Sequence, residues 1–204
     1  MALFPYTRRV VIVACLYKLQ ASLHEQTVAV LAAIPEKLEL EDTSGLSYAE
    51  MLQRISAMPQ NSIILFGIYY KDSTGRSFVP AEVAANVAKL ANVPVLALYD
   101  AHVRQGLTGG SVVVASDVGR RVGEVGFEIL TGKLKINGAS TDVSLASQPM
   151  FDWAQLQRWG ADPTKLPLNT IFLNRPRTLW SEYRNEVIAA LAVIATLSVL
   201  TILL

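Results

Sequence analysis

The sequence predicts an α/β fold, a parallel β-sheet lobe clothed in helices, followed by one transmembrane helix. Three observations predict it. Short runs rich in valine and isoleucine alternate with stretches of helical periodicity from Arg9 to Leu130, the order that builds a parallel sheet covered on both faces. Those runs are continuously apolar, as expected for strands buried on both sides. The third is the run Val187–Leu204, 18 residues without charge, proline or glycine, in which only Thr196, Ser198 and Thr201 are polar. At about 1.5 Å rise per residue such a run approaches the roughly 30 Å of a hydrocarbon core. Trp180, Tyr183 and Arg184 precede it as an aromatic and cationic anchor. A buried core helix is the other reading of such a run, but this one is apolar all round and terminal.

Taken in order, Arg9–Ala14 is the first strand. Ser22-Leu-His-Glu25 reads as a capping box, and Val28, Leu31, Ala32 and Ile34 continue a helical face until Pro35 stops it. His24 falls in that first turn and is expected to face solvent. Leu38–Glu41 is short and polar-alternating, suited to a sheet edge. A second capping box, Ser47-Tyr-Ala-Glu50, opens a helix through Met51, Leu52 and Ile55 that ends before Pro59. Ser62–Tyr70 is the most strand-like run and is placed centrally, with Asp72-Ser-Thr-Gly75 as the turn after it.

Pro80 opens a third helix, with Val83, Val87 and Leu90 as its buried stripe. Val95–Tyr99 is a strand, Asp100–Gly110 a glycine-rich loop, and Val112–Ala115 a fifth strand. Asp117 is placed as the cap of a helix from Val118 to Leu130, which Gly132 terminates. Further on, Asp152 reads as an N-cap with Gln155 three residues later. Trp153, Leu156 and Trp159 pack that short helix, Gly160 ends it, and Pro163 and Pro167 stiffen the link beyond it.

Composition narrows the function. Net charge is +1 and the basic residues are scattered, which argues against a nucleic-acid partner. The single cysteine, Cys15, excludes an internal disulfide and a cysteine metal cluster, and it reads as a buried structural thiol. The N-terminus lacks the charge order of a signal peptide. The turn after the first strand, Ala14-Cys-Leu-Tyr-Lys-Leu19, has no glycines to admit a pyrophosphate. Gly106-Leu-Thr-Gly-Gly110 lies between two strands without a lysine, and no nucleophile elbow, HExxH or paired CxxC occurs. With 2 histidines far apart in sequence, general acid–base chemistry has little to work with. No catalytic residue, metal or cofactor is assigned.

In parallel α/β sheets, ligands sit outside the carboxyl ends of the strands. Here those ends carry Cys15, Leu16 and Tyr17, then Tyr69, Tyr70 and Asp72, then Asp100, His102 and Arg104. Alternation sends Tyr69 and Tyr70 to opposite faces, so one of them lines a cleft. Tyr69, Asp100 and Arg104 are the predicted ligand-binding residues: a ring to stack, a carboxylate to orient an amine or hydroxyl, and a guanidinium for a carboxylate or for Asp100 itself. The alternative is that the tyrosines close the sheet and the charges are solvated.

Several stretches carry a resemblance. They are Phe4-Pro-Tyr-Thr-Arg-Arg-Val-Val-Ile-Val13, Gly45-Leu-Ser-Tyr-Ala-Glu-Met-Leu52, Asp72-Ser-Thr-Gly-Arg-Ser-Phe-Val-Pro80, the pair Gly109-Gly110, and the helix Gly119–Gly132. The exit is the most specific: Phe151-Asp-Trp-Ala-Gln-Leu-Gln-Arg-Trp-Gly160, Leu166-Pro, and Leu179-Trp-Ser-Glu-Tyr-Arg184. Together they resemble the C-terminal portion of the extracytoplasmic sensor domain of bacterial sensor histidine kinases, related to the substrate-binding proteins of ABC transporters. The turn Cys15-Leu-Tyr17 departs from the small-residue turn of that family.

The resemblance implies a lobe of a type I periplasmic-binding-protein-like fold over residues 1–150, a membrane-proximal helix and linker over 151–177, and a transmembrane helix over 178–204. It implies a small-molecule ligand, a bacterial inner membrane with the domain on its periplasmic side, and a homodimer through the signalling region. The chain is then expected to be a non-catalytic portion, lacking a first lobe with its export segment and a cytoplasmic kinase transmitter. Such a lobe is expected to expose apolar patches. The positive-inside rule, applied to Arg175, Arg177 and Arg184, would instead put the domain in the cytoplasm. Two other readings therefore stand beside the first: a tail-anchored cytoplasmic α/β protein with enzymatic activity, and a substrate-binding component of an ABC transporter.

Overall fold

The computed structural model describes residues 3–15, 21–33, 38–134, 147–176 and 183–203. Leu16 and Tyr17 at the first strand's exit, the expected stop at Ile34-Pro35, and the anchor residue Trp180 lie outside them. The chain divides into two compact units, Met1–Leu173 and Asn174–Leu204.

The first unit is built on a 7-stranded sheet in the order β2-β1-β3-β4-β5-β6-β7. Its strands are β1 (Arg9–Val13), β2 (Glu39–Asp42), β3 (Ser62–Phe66), β4 (Val95–Ala97), β5 (Gly109–Val113), β6 (Ser147–Asp152) and β7 (Ile171–Leu173). Neighbours run parallel from β2 to β5. The expected all-parallel sheet is corrected at one place: β6 runs antiparallel to β5, pairing Gly110 with Met150 and Val112 with Gln148. β7 is again parallel to β6, so the stretch 151–177, expected as a helix and linker, contains the end of β6 and all of β7.

The helices are α1 (Ala21–Ala32), α2 (Tyr48–Ser56), α3 (Pro80–Leu90), α4 (Asp100–Val103), α5 (Ala115–Leu130) and α6 (Trp153–Arg158). Ser22 and His24 fall inside α1, and their side chains are outside the described residues. The second capping box forms as the sequence predicts, with the Ser47 side chain and Glu50 bonding each other's backbone N–H. Pro80 occupies the first turn of α3, where its missing N–H costs nothing. Leu90 is corrected: it is 43% exposed, while Val83 and Val87 are buried. Asp117 is also corrected, since α5 begins at Ala115 and Asp117 sits within its first turn. Gly132 has φ 72 just past that helix, the left-handed stop expected of it.

The main core lies between one sheet face and helices α2 and α3. Val11, Val13, Ile64, Phe66, Val95, Ala97 and Val112 meet Met51, Ile55, Val83, Ala84 and Val87 there. Each buried aliphatic or aromatic side chain of this kind contributes about 1.5–3 kcal/mol relative to exposure. Alternation along β6 sends Met150 into this core. Phe151 goes to a second cluster with Leu156, Ala161, Leu3, Phe4, Leu166 and Phe172.

Two glycines are required where strands approach closely. Gly109 has φ 127, and a Cβ there would sit 2.3 Å from the Met150 carbonyl oxygen. A Cβ on Gly110 would sit 2.6 Å from the Ala97 carbonyl oxygen. Both positions therefore exclude any side chain.

The sheet's two edges differ in character. At β2, Glu39 and Glu41 are bridged by Arg9 and Arg54, and the side-chain hydrogen bond from Arg54 holds the Glu41 carboxyl below its usual range, with Arg9 adding to it. At the other edge, β7 is only 3 residues long. Val122, Phe127 and Leu130 of α5 and Leu168 are exposed apolar side chains.

The second unit contains the 20-residue helix α7 (Arg184–Leu203). Its hydroxyls fold back on its own carbonyls, Thr196 on Val193, Ser198 on Ile194 and Thr201 on Leu197, leaving Ile188, Leu191, Val193, Ile194 and Leu197 exposed. Among the described residues, no helix is long and apolar enough to cross a membrane, so the expected transmembrane span is not shown.

Candidate functional site

The carboxyl ends of β1, β3 and β4 carry most of the chain's unusual side chains. β3 ends at Phe66 and not at Tyr70. The ladder continues only as single bonds, Gly67 N–H to Val13 and Cys15 N–H to Ile68. Glycine at 67 and the opening toward Tyr70 release the strand, so the tyrosines are set by a loop and not by strand alternation.

Tyr69 is only 1% exposed, with its ring among Tyr48 and Phe78 at 6.1 and 5.9 Å. Its hydroxyl is buried and has no hydrogen-bond partner among the described residues. Burial, with Asp72, Cys15 and Tyr48 adding to it, pushes the phenol up to about 12. Tyr70 is 50% exposed and lies near Tyr99, whose phenol is raised chiefly by burial and secondarily by Tyr70.

Asp72 organises the loop. Its carboxylate accepts from Thr74 Oγ1 at 2.6 Å, from the backbone N–H of Thr74 and of Arg76 at 3.0 Å each, and from the N–H of Tyr48 at 3.1 Å. The last bond satisfies an orphan donor in the first turn of α2 and ties that helix to the loop. The Thr74 hydroxyl is the main reason the Asp72 carboxyl is held below its usual range, with the backbone donors adding to it against some burial. Gly75 turns the loop at φ 89, and Arg76 lies over the Phe78 ring at 5.1 Å. The sequence marks this segment as a turn, and the aspartate two residues before a threonine is the signal for such a side-chain-capped turn. Its tie to α2 is not legible locally, because Tyr48 lies 24 residues away.

Asp100 and Arg104 are brought together at the end of β4, their charged groups 3.7 Å apart across one turn of α4. The Asp100 carboxylate also accepts from the N–H of Ala115 at 3.2 Å, capping the start of α5 from outside. Asp100 is thus buried and partly committed, whereas the Arg104 side chain is 59% exposed and open to an anion. The structure places Tyr69 in the core beside Tyr48 and leaves Tyr70, the other ring named from the sequence, as the open one; the half-buried Tyr99 beside it was not singled out by sequence reasoning.

His102 is buried with its Nδ1 unpartnered among the described residues, edge-on to Phe66 at 4.9 Å and to Tyr99 at 5.7 Å. Burial holds its imidazole below the usual histidine range, opposed in part by Asp100. An unfolded histidine titrates near about 6.5, so below that pH the unfolded chain takes up a proton that the folded chain resists. Stability should therefore be unaffected by His102 at higher pH and fall as pH drops from about 6.5 through the folded pKa. The check is the thermal midpoint at about pH 7.5 and about pH 5.5: His102→Gln should flatten the slope, and an unchanged slope would assign it to other groups.

No group of three His, Cys, Asp or Glu among the described residues could hold a metal ion. Among the described residues, the carboxyl edge offers rings, the accessible guanidinium groups of Arg76 and Arg104, the carboxylates of Asp72 and Asp100, and the unpartnered Tyr69 phenol, which are recognition groups.

Among solved structures, the chain is similar to the ligand-free, open form of a substrate binding protein with adhesive properties from Clostridium difficile. The two are 16% identical with a TM-score of 0.54, over 85% of this chain and 57% of that one. This likeness shows the fold, and the chain spans little more than half the length of that protein. No protein-family profile and no curated protein matches the chain.

Proposed function

We propose that this chain is the ligand-sensing lobe of a bacterial membrane signalling protein of the sensor histidine kinase type. In this reading it recognises a small solute and performs no chemistry on it. The observation that carries the reading is the carboxyl edge of a binding-protein-like sheet. There Tyr70 and Arg104 are accessible, and the buried Tyr69 hydroxyl has no partner among the described residues. Arg104 takes a carboxylate or other anion of the solute, Asp100 orients an amine or hydroxyl, and Tyr69 donates its phenolic proton.

Membrane attachment through the C-terminal segment belongs to the same proposal. It is supported by the uncharged run Val187–Leu204 and by the hydroxyls of α7 that turn inward to its backbone, which leaves apolar groups outward. A domain on the periplasmic face, joined to a cytoplasmic kinase, is drawn from the resemblance of the exit segment Phe151–Arg184.

The test is a thermal-shift screen of amino acids, sugars, nucleosides and dicarboxylates, with calorimetry on each hit. Arg104→Ala and Asp100→Ala are each expected to weaken a hit by more than about tenfold, or about 1.4 kcal/mol. Arg104 is exposed, so its variant remains folded and serves as the cleaner measurement. Affinity unchanged in a folded Arg104→Ala and Asp100→Ala pair would remove the carboxyl edge as the site.

A further inference from the structure

A cavity of 440 Å³ opens at the amino ends of β3 and β4, the end of the sheet opposite the carboxyl edge. Its size is within the range of small-molecule sites. The segment Leu3–Thr7 lines it together with Gln60, Trp159, Asp162 and Lys165. Ser62, the first residue of β3, lines it too, and its buried hydroxyl has no partner among the described residues. Such a group favours an occupant that can both donate and accept.

Two opposite charges share the cavity, and they decide the charge of what fits. Asp162 caps the short 3₁₀ turn Pro163–Lys165, accepting from the Thr164 backbone N–H at 3.0 Å and from its hydroxyl at 2.7 Å. Those bonds, the hydroxyl first, hold the Asp162 carboxyl below its usual range, and Lys165 adds to it. A carboxylate therefore stands ionised near an ammonium, and the two present no net charge. An anion drawn to Lys165 is repelled by Asp162, and a cation meets the reverse. A neutral polar molecule meets neither penalty.

The remaining groups narrow the class further. The ammonium and the indole N–H only donate, the carboxylate only accepts, and the Gln60 amide and Tyr6 hydroxyl do both. Tyr6, Gln60 and Trp159 spend none of these side-chain groups on hydrogen bonds among the described residues. Neighbouring hydroxyls on one small ring answer such a mixed set, since each can donate and accept at once. Trp159 and Tyr6 add π faces, whose negative charge attracts the C–H groups of a saturated ring. The indole is also anchored: Arg158 lies over it at 4.4 Å and bonds the Ala88 and Ala91 carbonyls at the end of α3.

We propose that this cavity is a site for a neutral pyranose sugar, with its hydroxyls shared among Asp162, Lys165 and Gln60 and its C–H face against Trp159. The site lies at the other end of the strands from the carboxyl edge, so it neither rests on the solute proposed there nor blocks it.

The experiment is saturation-transfer difference NMR on the full chain, with methyl β-D-glucopyranoside and methyl β-D-galactopyranoside as probes. Transfer to the ring C–H protons of one or both is expected, and Trp159→Ala should abolish it. Asp162→Asn should weaken binding about tenfold, while asparagine keeps the capping oxygen and hence the turn. The same variant leaves Lys165 unanswered, so it should accept methyl β-D-glucuronide, an anion that the native chain rejects. No transfer to either glycoside would overturn the proposal. Transfer unchanged in Trp159→Ala would place the sugar elsewhere, the carboxyl edge included, and overturn it too. So would displacement of the glycoside by an equal concentration of leucine, which would make this a zwitterion site, or glucuronide still rejected by Asp162→Asn. Asp162 lies on the surface, so its variant reports even where Trp159→Ala fails to fold.

Discussion

Gly109→Ala is expected to abolish cooperative folding or to lower stability by more than about 4 kcal/mol. Two effects add at this position. Its φ of 127 lies where L residues are strained, and a Cβ would approach the Met150 carbonyl oxygen to 2.3 Å and the Phe151 Cα to 2.6 Å. Those neighbours are backbone on β6, the strand that reverses the sheet's direction, so they cannot swing aside. Gly123→Ala is the matched control: it sits within α5, and an added Cβ meets nothing within 4 Å. There the change should stabilise by up to about 1 kcal/mol through helix propensity alone. Urea unfolding of the two variants separates the cases, and a wild-type midpoint for Gly109→Ala would mean that β5 and β6 are not paired as described.

Tyr69→Phe is expected to move stability and affinity in opposite directions. The phenol is buried with no hydrogen-bond partner among the described residues, and such a group costs about 1–3 kcal/mol of desolvation. Removing the oxygen and keeping the ring in contact with Tyr48 and Phe78 should raise the unfolding midpoint. If the hydroxyl is held in reserve for a solute, the same variant should bind calorimetric hits about tenfold more weakly. Higher stability with unchanged affinity would make Tyr69 a core residue only. Unchanged stability would mean that the hydroxyl finds a partner in solution.

Much of the fold was legible because it is governed by short-range rules. The capping box at Ser47, proline at the start of α3, the left-handed stop at Gly132 and the Asp152 cap on α6 each need only a few neighbouring residues to form. The polar-alternating run Leu38–Glu41 marked itself as an edge strand, and β2 forms one residue further on at Glu39–Asp42. What escaped depends on partners distant in the chain. The antiparallel entry of β6 is decided by the close approach of Gly109 and Gly110 to other strands, and nothing near residue 147 announces it. Leu90 completes a helical stripe in the sequence, yet at the last position of α3 it is left exposed.

The candidate site was less legible. Asp100 and Arg104 pair because residues 100–103 form α4 inside the stretch Asp100–Gly110 that the sequence reads as a loop, so the one-turn spacing that joins them was not legible. Nor was the division of labour between Tyr69 and Tyr70, because β3 ends at Phe66 and the loop held by Asp72 decides which ring turns inward. The proximity of Tyr99 to Tyr70 requires β3 and β4 to be neighbours, which the sequence implies only once the strand order is known.

The margins of the sheet bear on how copies of the chain meet. A second β2 approaching the first would bring Glu39 and Glu41 against their own equivalents. The arginines that offset them, Arg9 and Arg54, are already engaged. The opposite margin offers only the three residues of β7, too short a template for backbone-to-backbone growth. Cross-β polymerisation is thereby obstructed at both ends of the ladder. Crowding the molecule should drive it toward disordered clumping through the apolar side chains of α5, and away from amyloid-like fibres.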